Sequence, residues 1–367
     1  MPRRVVLFSH NSNLSGAPIA ISQLARQLPD FGYSPLLILP KHGPLELKLI
    51  EWGVEYRVIK QNCALLDFIR IVKRECPELI HVNSLVKTWP VIVARLMGIP
   101  VIWHVHEYLG SKRFYARIIH AIAHRVVLIS RNQYQLFRGM KKAALVLNGV
   151  NPEDFNNIHP VECMTSEHAS AIRVTYVGSI EQRKGLKTLV RAAALRKTDS
   201  PVRFVIVGDA SEKNSTYREE VDRLILENNL DKQFQFLGPR DDIPRILSGS
   251  DILCHPAYIE EFGLVILEAM ASKVPVIASR IGEIKDMVED GVTGILVEPG
   301  NAKELSIAVS RLCNDAALRH EMGEKGFLRL MHKYSMNIHA GNVVKVYESL
   351  LVEKHVMDRE SRFEVRK

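Results

Sequence analysis

Short apolar runs recur along the whole chain, with helically spaced stretches between them. In the first half they fall at Val5–Ser9, Pro35–Leu39, Glu55–Ile59, Leu79–Val82, Val101–His104 and Arg125–Ile129. Unbroken apolar runs bounded by polar loops fit strands buried on both faces, and their alternation with helices predicts a doubly wound parallel sheet. Ile19, Leu24 and Leu28 share one face of the first helix of this pattern. The rhythm restarts at Arg173–Gly178 and continues through Pro201–Val207, Gln233–Gly238, Ile252–His255, Val274–Ala278 and Gly294–Val297. Asn156–Ser170 is polar and has no apolar period, so the boundary is expected there. The pattern predicts two Rossmann-like domains, 1–160 and 170–350, then a polar charged tail, 351–367. A helical stretch spans about residues 303–355.

Ligands of such sheets bind beyond the carboxyl ends of the strands. The polar clusters at those ends are His81-Val82-Asn83-Ser84, His104-Val105-His106-Glu107, and the glycines Gly178 and Gly208. The loop after the first strand carries Ser15-Gly16-Ala17, which is not Gly-x-Gly-x-x-Gly. A histidine such as His106 at a strand end is, by itself, most often structural.

The chain's most informative stretch is Glu260–Met270. Glu260 and Glu268 bracket Glu261-Phe262-Gly263-Leu264 and the start of an apolar helix. A helix beginning near Gly263 would turn its free amides toward whatever lies beside Glu260. Glu268, about one and a half turns in, could accept hydrogen bonds from a ribose diol while Glu260 and the backbone near Phe262 and Gly263 hold a second sugar. A lone pair of glutamates is usually two solvated charges; the surroundings argue otherwise. Arg183-Lys184-Gly185 lies between a strand and a helix, where cations are unfavourable unless an anion is bound, so it is a candidate diphosphate site.

Glu260 and Glu268, followed by Ala269-Met270-Ala271 and Val274-Pro275-Val276, resemble the donor-sugar motif of the retaining glycosyltransferases of family 4. Asn148-Gly149-Val150, Lys184-Gly185 and His106-Glu107 carry the resemblance through nearly all of the chain. It implies an α/β fold of GT-B type, two Rossmann-like domains facing across a cleft. The first would bind the acceptor and the second the nucleotide sugar, with the segment near Tyr347–Leu351 packing back on the first domain. The resemblance places the donor on Gly16, Ala17, Gly178, Ser179, Arg183, Lys184, Gly208, Glu260, Glu261, Phe262, Gly263, Leu264 and Glu268. It places the acceptor on Asn83, His106 and Glu107, and gives catalytic roles to His106, Lys184 and Glu260.

Two positions depart from the family pattern. Ser179 stands where an Arg is usual, with Arg183 nearby as a substitute charge, and Glu283 follows Gly282 where a second Gly is common. The resemblance implies transfer of a sugar from a nucleoside-diphosphate sugar to an acceptor hydroxyl, with retention, in polysaccharide or glycolipid assembly. A leaving phosphate oxygen would take the acceptor's proton; double displacement on a carboxylate is the rival route. No metal and no cofactor beyond the donor co-substrate are expected, and the strands carry no Asp-x-Asp. A sugar-nucleotide epimerase or phosphorylase of the same fold stays open, as does a non-catalytic nucleotide-binding scaffold subunit, which the Ser179 departure motivates.

Composition narrows the setting. The chain has 367 residues, 47% hydrophobic and 25% charged, which fits a globular protein rather than a disordered one. No apolar run approaches the roughly 18 to 20 residues that cross a bilayer, and Met1–Phe8 does not lead into a signal core. A cytoplasmic protein is expected. Cys63, Cys76, Cys163, Cys254 and Cys313 are scattered and odd in number, as for reduced thiols. Of the net charge of +8, residues 1–160 contribute +10 and the rest −2.

Lys112, Arg113, Arg117, Arg125, Arg131, Arg138, Lys141 and Lys142 crowd residues 111–142 without an acidic residue. Phe114, Ile118, Ile119 and Ile122 lie among them at helical spacing. Such a helix either lies on an anionic membrane surface or packs its stripe on the sheet. The first option would make the protein peripheral at the inner face of the membrane. The expected partners are therefore a nucleotide-sugar donor, a carbohydrate or lipid-linked acceptor and an anionic membrane surface. Nucleic acid is not among them, since no recognition motif or stacking platform accompanies the charge.

Overall fold

A computed structural model describes residues 2–110, 113–161, 164, 171–196 and 200–364, with the side chains of the last helix as far as Val356. Lys112, Cys163 and residues 162 and 165–170 of the expected linker lie outside the described residues.

The apolar runs form strands. In the first unit these are β1 (Arg3–Phe8), β2 (Tyr33–Leu39), β3 (Tyr56–Val58), β4 (Leu79–Asn83), β5 (Val101–Val105), β6 (Arg125–Leu128) and β7 (Ala143–Leu145). They pair in the order β3-β2-β1-β4-β5-β6-β7, all parallel. In the second unit β8 (Ile172–Val177), β9 (Val202–Val207), β10 (Phe234–Gly238), β11 (Ile252–His255), β12 (Val276–Ser279) and β13 (Gly294–Val297) pair as β10-β9-β8-β11-β12-β13, again all parallel.

Successive side chains of a strand face opposite sides, and each side of the first sheet has its own core. Val5, Leu7, Leu37 and Leu39 meet Ile21 and Leu24 of the Gly16–Gln27 helix and Leu28 just after it, together with Val343, Tyr347 and Leu350 of the last helix. Val6, Phe8, Ile80 and Trp103 meet Phe68, Val91 and Ile119 on the other side. Each fully buried side chain of this size stabilises the fold by about 2 kcal/mol. In the second unit Leu186, Leu189, Val190 and Ala193 of the Leu186–Leu195 helix cover Val174, Tyr176, Phe204, Ile206 and Cys254.

The contacts divide the chain into Met1–Gly149 with Met336–Lys367, and Val150–Ser335. The division falls ahead of the polar stretch expected to mark it. Val150 donates its N–H to the Tyr334 carbonyl at 3.1 Å and bridges Ser335, and Val161 and Met164 are buried with Val205, Val207 and Ile246. Residues expected to be a polar tail continue the last helix, Met336–Glu364. That helix seals the first sheet: Glu348 Oε1 accepts from Arg3 Nη1 and from the Tyr33 hydroxyl, both at 2.6 Å. Among the described residues no helix is long and apolar enough to cross a membrane.

In each sheet the strand order reverses beside the first strand, between β1 and β4 and between β8 and β11. Crevices open at such switch points, at the carboxyl ends of the strands.

Candidate functional site

In the second unit the loops leaving β8 and β11 flank the switch point and are fastened to each other. The Arg183 carbonyl accepts the Tyr258 and Ile259 amides at 2.8 and 3.3 Å. Gly185, with φ of 73°, ends the Gln182–Lys184 turn and caps the next helix; a Cβ there would run into the Pro256 carbonyl. Gly282, with φ of 50°, leaves the same kind of space for the Glu260 carbonyl. These close approaches bring together two side chains that are 76 residues apart. Lys184 Nζ and Glu260 Oε2 form a largely buried ion pair, and His255 Nε2 lies 3.2 Å from the same oxygen. Burial alone would raise the Glu260 carboxyl, but the His255 hydrogen bond and the Lys184 charge overcome it and hold it well below the usual carboxylate range.

Glu268 is in the opposite condition. It lies in the Leu264–Ala271 helix, capped by Gly263 at φ 86°, and its carboxylate has no hydrogen-bond or ion-pair partner among the described residues. The surrounding protein desolvates it and pushes it up to about 7, although it keeps some solvent access. An unpaired carboxylate in such a place is ready to accept from ligand hydroxyls. Phe262 and Glu261 are both buried, so this loop presents backbone more than side chains.

Gly178 and Gly208 close β8 and β9 and touch: the Gly178 N–H donates to Val207 at 2.9 Å, and a Cβ on Gly208 would strike the Gly178 carbonyl. Ser179 donates its hydroxyl to Glu181, which also takes Arg183 at 2.7 Å. Arg183 is thus paired with Glu181, while the next residue, Lys184, is paired with Glu260.

In the first unit Gly16 and Ala17 open the Gly16–Gln27 helix, and Asn83 Nδ2 donates to the Ala17 carbonyl at 2.9 Å. Glu107 spends its oxygens on the Ser84 hydroxyl and on the Leu85 and His106 amides at 3.0 and 3.2 Å. His106 packs against His104 with ring centroids 4.4 Å apart and the rings tilted by 36°; its Nε2 is buried without a partner among the described residues, and burial with nearby His339 and His81 pushes it down to about 3.

Behind it runs a chain that sequence reasoning missed. Tyr347 hydroxyl lies 2.6 Å from His81 Nδ1, and His81 Nε2 lies 3.1 Å from His104 Nδ1. His255 was also missed as the partner of Glu260. Its signal was a histidine ending β11, five residues before that glutamate. Among the described residues no three His, Cys, Asp or Glu side chains are placed to hold a metal ion.

Residues 14–154 match Glycosyltransferase Family 4, and residues 167–329 match Glycosyl transferases group 1. The two matches follow the two units and take in both sets of site residues. The chain belongs to the GT-B glycosyltransferases. This glycosyltransferase chain shares its fold with Anabaena Alr3699/HepE, crystallised with UDP and glucose, at a TM-score of 0.82 and 20% identity over 95% of this chain and 100% of that one. Sucrose-phosphate synthase from Thermosynechococcus elongatus superposes with a TM-score of 0.75 at 23% identity, over 96% and 100% of the two chains.

Among curated relatives, the alpha-D-kanosaminyltransferase of Streptomyces kanamyceticus is 32% identical over 180 residues, 48% of this chain and 45% of that protein. A D-inositol 3-phosphate glycosyltransferase of Corynebacterium aurimucosum is 37% identical over 156 residues, 41% and 37% of the respective chains. The matched segments thus span less than half the length of these relatives.

Proposed function

We propose that this chain transfers a sugar from a nucleoside-diphosphate sugar to an acceptor hydroxyl with retention at the anomeric carbon, in polysaccharide or glycolipid assembly. One observation carries the reading: a buried Lys184–Glu260–His255 cluster at the switch point of the second sheet, with the unpartnered Glu268 on the helix that follows Glu260. Glu268 holds the nucleotide ribose, and the first-turn amides of the Leu264–Ala271 helix face the diphosphate with Lys184. Lys184 carries three N–H donors, so it can keep Glu260 while reaching a phosphate oxygen. Breaking the sugar–phosphate bond builds negative charge on the diphosphate, and Lys184 with the helix amides stabilises it.

Glu260 orients sugar hydroxyls. A carboxylate held so far toward its ionised form is a weak proton acceptor, which favours the leaving phosphate oxygen as the group that takes the acceptor's proton. His106 and Asn83 in the first unit serve the acceptor.

The reading extends to a peripheral position at the cytoplasmic face of an anionic membrane. In the Arg113–Ile122 helix Ala116 and Ile119 are buried on the sheet, while Phe114, 70% exposed, and Ile118 are exposed next to Arg113 and Arg117. Cations flanking exposed apolar side chains suit anionic headgroups. Vesicle sedimentation should show binding that rises with anionic lipid content and is lost in a Phe114→Ser, Ile118→Ser variant; indifference to anionic lipid would remove this part.

Calorimetric titration with UDP, GDP, ADP and their sugar conjugates tests the core of the proposal. Saturable binding of one nucleotide that is lost in Glu268→Ala is expected, followed by transfer to an acceptor with the donor's anomeric configuration. Nucleotide binding without turnover across a broad acceptor panel would favour the scaffold reading, to which the engagement of both Ser179 and Arg183 by Glu181 lends support.

A further inference from the structure

We propose that the second unit carries a separate binding site for an anionic saccharide, in the pocket beside the Gln182–Lys184 turn. The pocket has a volume of about 610 Å³ and is walled by Arg183, Lys187, Arg191, Tyr217 and Tyr258. Its lining includes none of Lys184, His255, Glu260 and Glu268: Lys184 is directed to Glu260, whereas Arg183, the preceding residue, lines the pocket.

The three cations recur every fourth residue, so they line one face of the Leu186–Leu195 helix and the turn that precedes it. Like charges at this spacing repel, and a cation in a first turn opposes the helix dipole. The first turn of this helix contains no acidic residue to offset Lys187. Carboxylates from outside the helix answer part of the charge: Glu181 pairs with Arg183 and Glu220 with Lys187. Arg191 is exposed and has no ion-pair partner among the described residues. A positive row kept against local preference, ending in an unanswered guanidinium at a cavity, is complementary to an oxyanion.

The aromatic walls specify what carries that oxyanion. Tyr258 is fixed by its hydroxyl, 2.8 Å from Thr188 Oγ1, and by its amide on Arg183, yet its side chain stays partly exposed. Tyr217 is fixed by the Lys187 amide, which donates to its hydroxyl at 3.2 Å, and by the Lys187 ammonium 4.8 Å from its ring centre. Two rigid phenols offer flat faces to sugar C–H groups and hydroxyls to their edges. Together with Arg191 they fit a sugar bearing a carboxylate or a phosphate, and the two sources are separable by experiment.

Ligand-observed NMR titration of the full chain with glucose, glucuronate and glucose 6-phosphate tests the site. Glucuronate, glucose 6-phosphate or both should bind at least about tenfold more tightly than glucose, and whichever is preferred identifies the oxyanion. Arg191→Gln, at an exposed position that leaves the core intact, should weaken that binding by about fivefold or more. Glu268→Gln, which lies in the proposed donor site, should leave it within about twofold. Equal affinity for neutral and anionic sugars would overturn the proposal, as would an unchanged affinity in Arg191→Gln. A matching loss in Glu268→Gln would return the binding to the donor site. The pocket stands or falls independently of the transfer reaction.

Discussion

Lys184 and Glu260 share a buried ion pair across the loops that leave β8 and β11. Removing one partner of such a pair costs about 3 kcal/mol, because the other is left charged and enclosed. Lys184→Ala should therefore lower the melting temperature as well as reduce kcat by about 10²- to 10³-fold. Lys184→Ala with Glu260→Gln should recover most of the stability and none of the turnover. Turnover returning together with stability would mean that the pair only holds the loops.

Glu268 should impose a pH-dependent burden. Its carboxyl ionises near 4.5 in the unfolded chain and near 7 in the fold. Folding is then most favoured below pH 4.5, and this advantage is lost as the pH rises to 7 and stays lost above. The displacement corresponds to up to about 3 kcal/mol, less whatever residual solvent access screens. Glu268→Gln should stabilise the protein in urea unfolding at pH 8 and change it little at pH 4, while nucleotide affinity falls. A stabilised variant with full nucleotide affinity would remove Glu268 from the donor site.

The parallel sheets were legible because strands buried on both faces need apolar runs, and both sheets are built from them. β7, Ala143–Leu145, was not, since an edge strand of three half-buried residues leaves hardly any apolar signal. Glu260 and Lys184 stood out as residue types beside helix starts. His255 and Tyr347 did not, because what distinguishes each is a hydrogen-bond partner, and for Tyr347 that partner is 266 residues away. Polarity marks a linker at 156–170, whereas the contacts set off Val150–Ser335, whose two end residues bridge each other, at a point that no composition shift announces.

The buried histidines should make the first unit acid-sensitive. Burial pushes His81 and His106 down to about 3 and His339 to about 4, against 6.5 in the unfolded chain. As the pH falls below 6.5 the unfolded state takes up protons first, so stability declines from there toward pH 4. His339→Gln should flatten this decline in urea midpoints measured at pH 4.5, 5.5 and 7. Tyr347→Phe should cost about 1 to 3 kcal/mol at all three, by leaving His81 short of a partner. An unaltered slope in His339→Gln would exclude that ring from the acid response.

Two glycines with similar positive φ should respond differently to alanine. Gly139, at φ 83°, has open space around the missing Cβ, and Gly139→Ala should cost only about 1 kcal/mol of backbone strain. Gly185, at φ 73°, faces the Pro256 carbonyl, so Gly185→Ala must part the β8 and β11 loops. It should abolish nucleotide binding and destabilise by several times as much as Gly139→Ala. Equal losses in the two variants would show that the loops are not held by that contact.

The first unit is discontinuous: its sheet is closed by a helix that begins at Met336, after the whole of the second unit. On the ribosome the second unit is therefore the one whose contacts are all available as a single stretch. At about 5–20 residues per second, the N-terminal sheet waits roughly 10 to 40 s with His81, Tyr33 and one apolar face uncovered before Tyr347 and Glu348 emerge. Throughout that interval the growing chain exposes a surface that chaperones recognise, and a premature stop near residue 335 would leave it exposed for good.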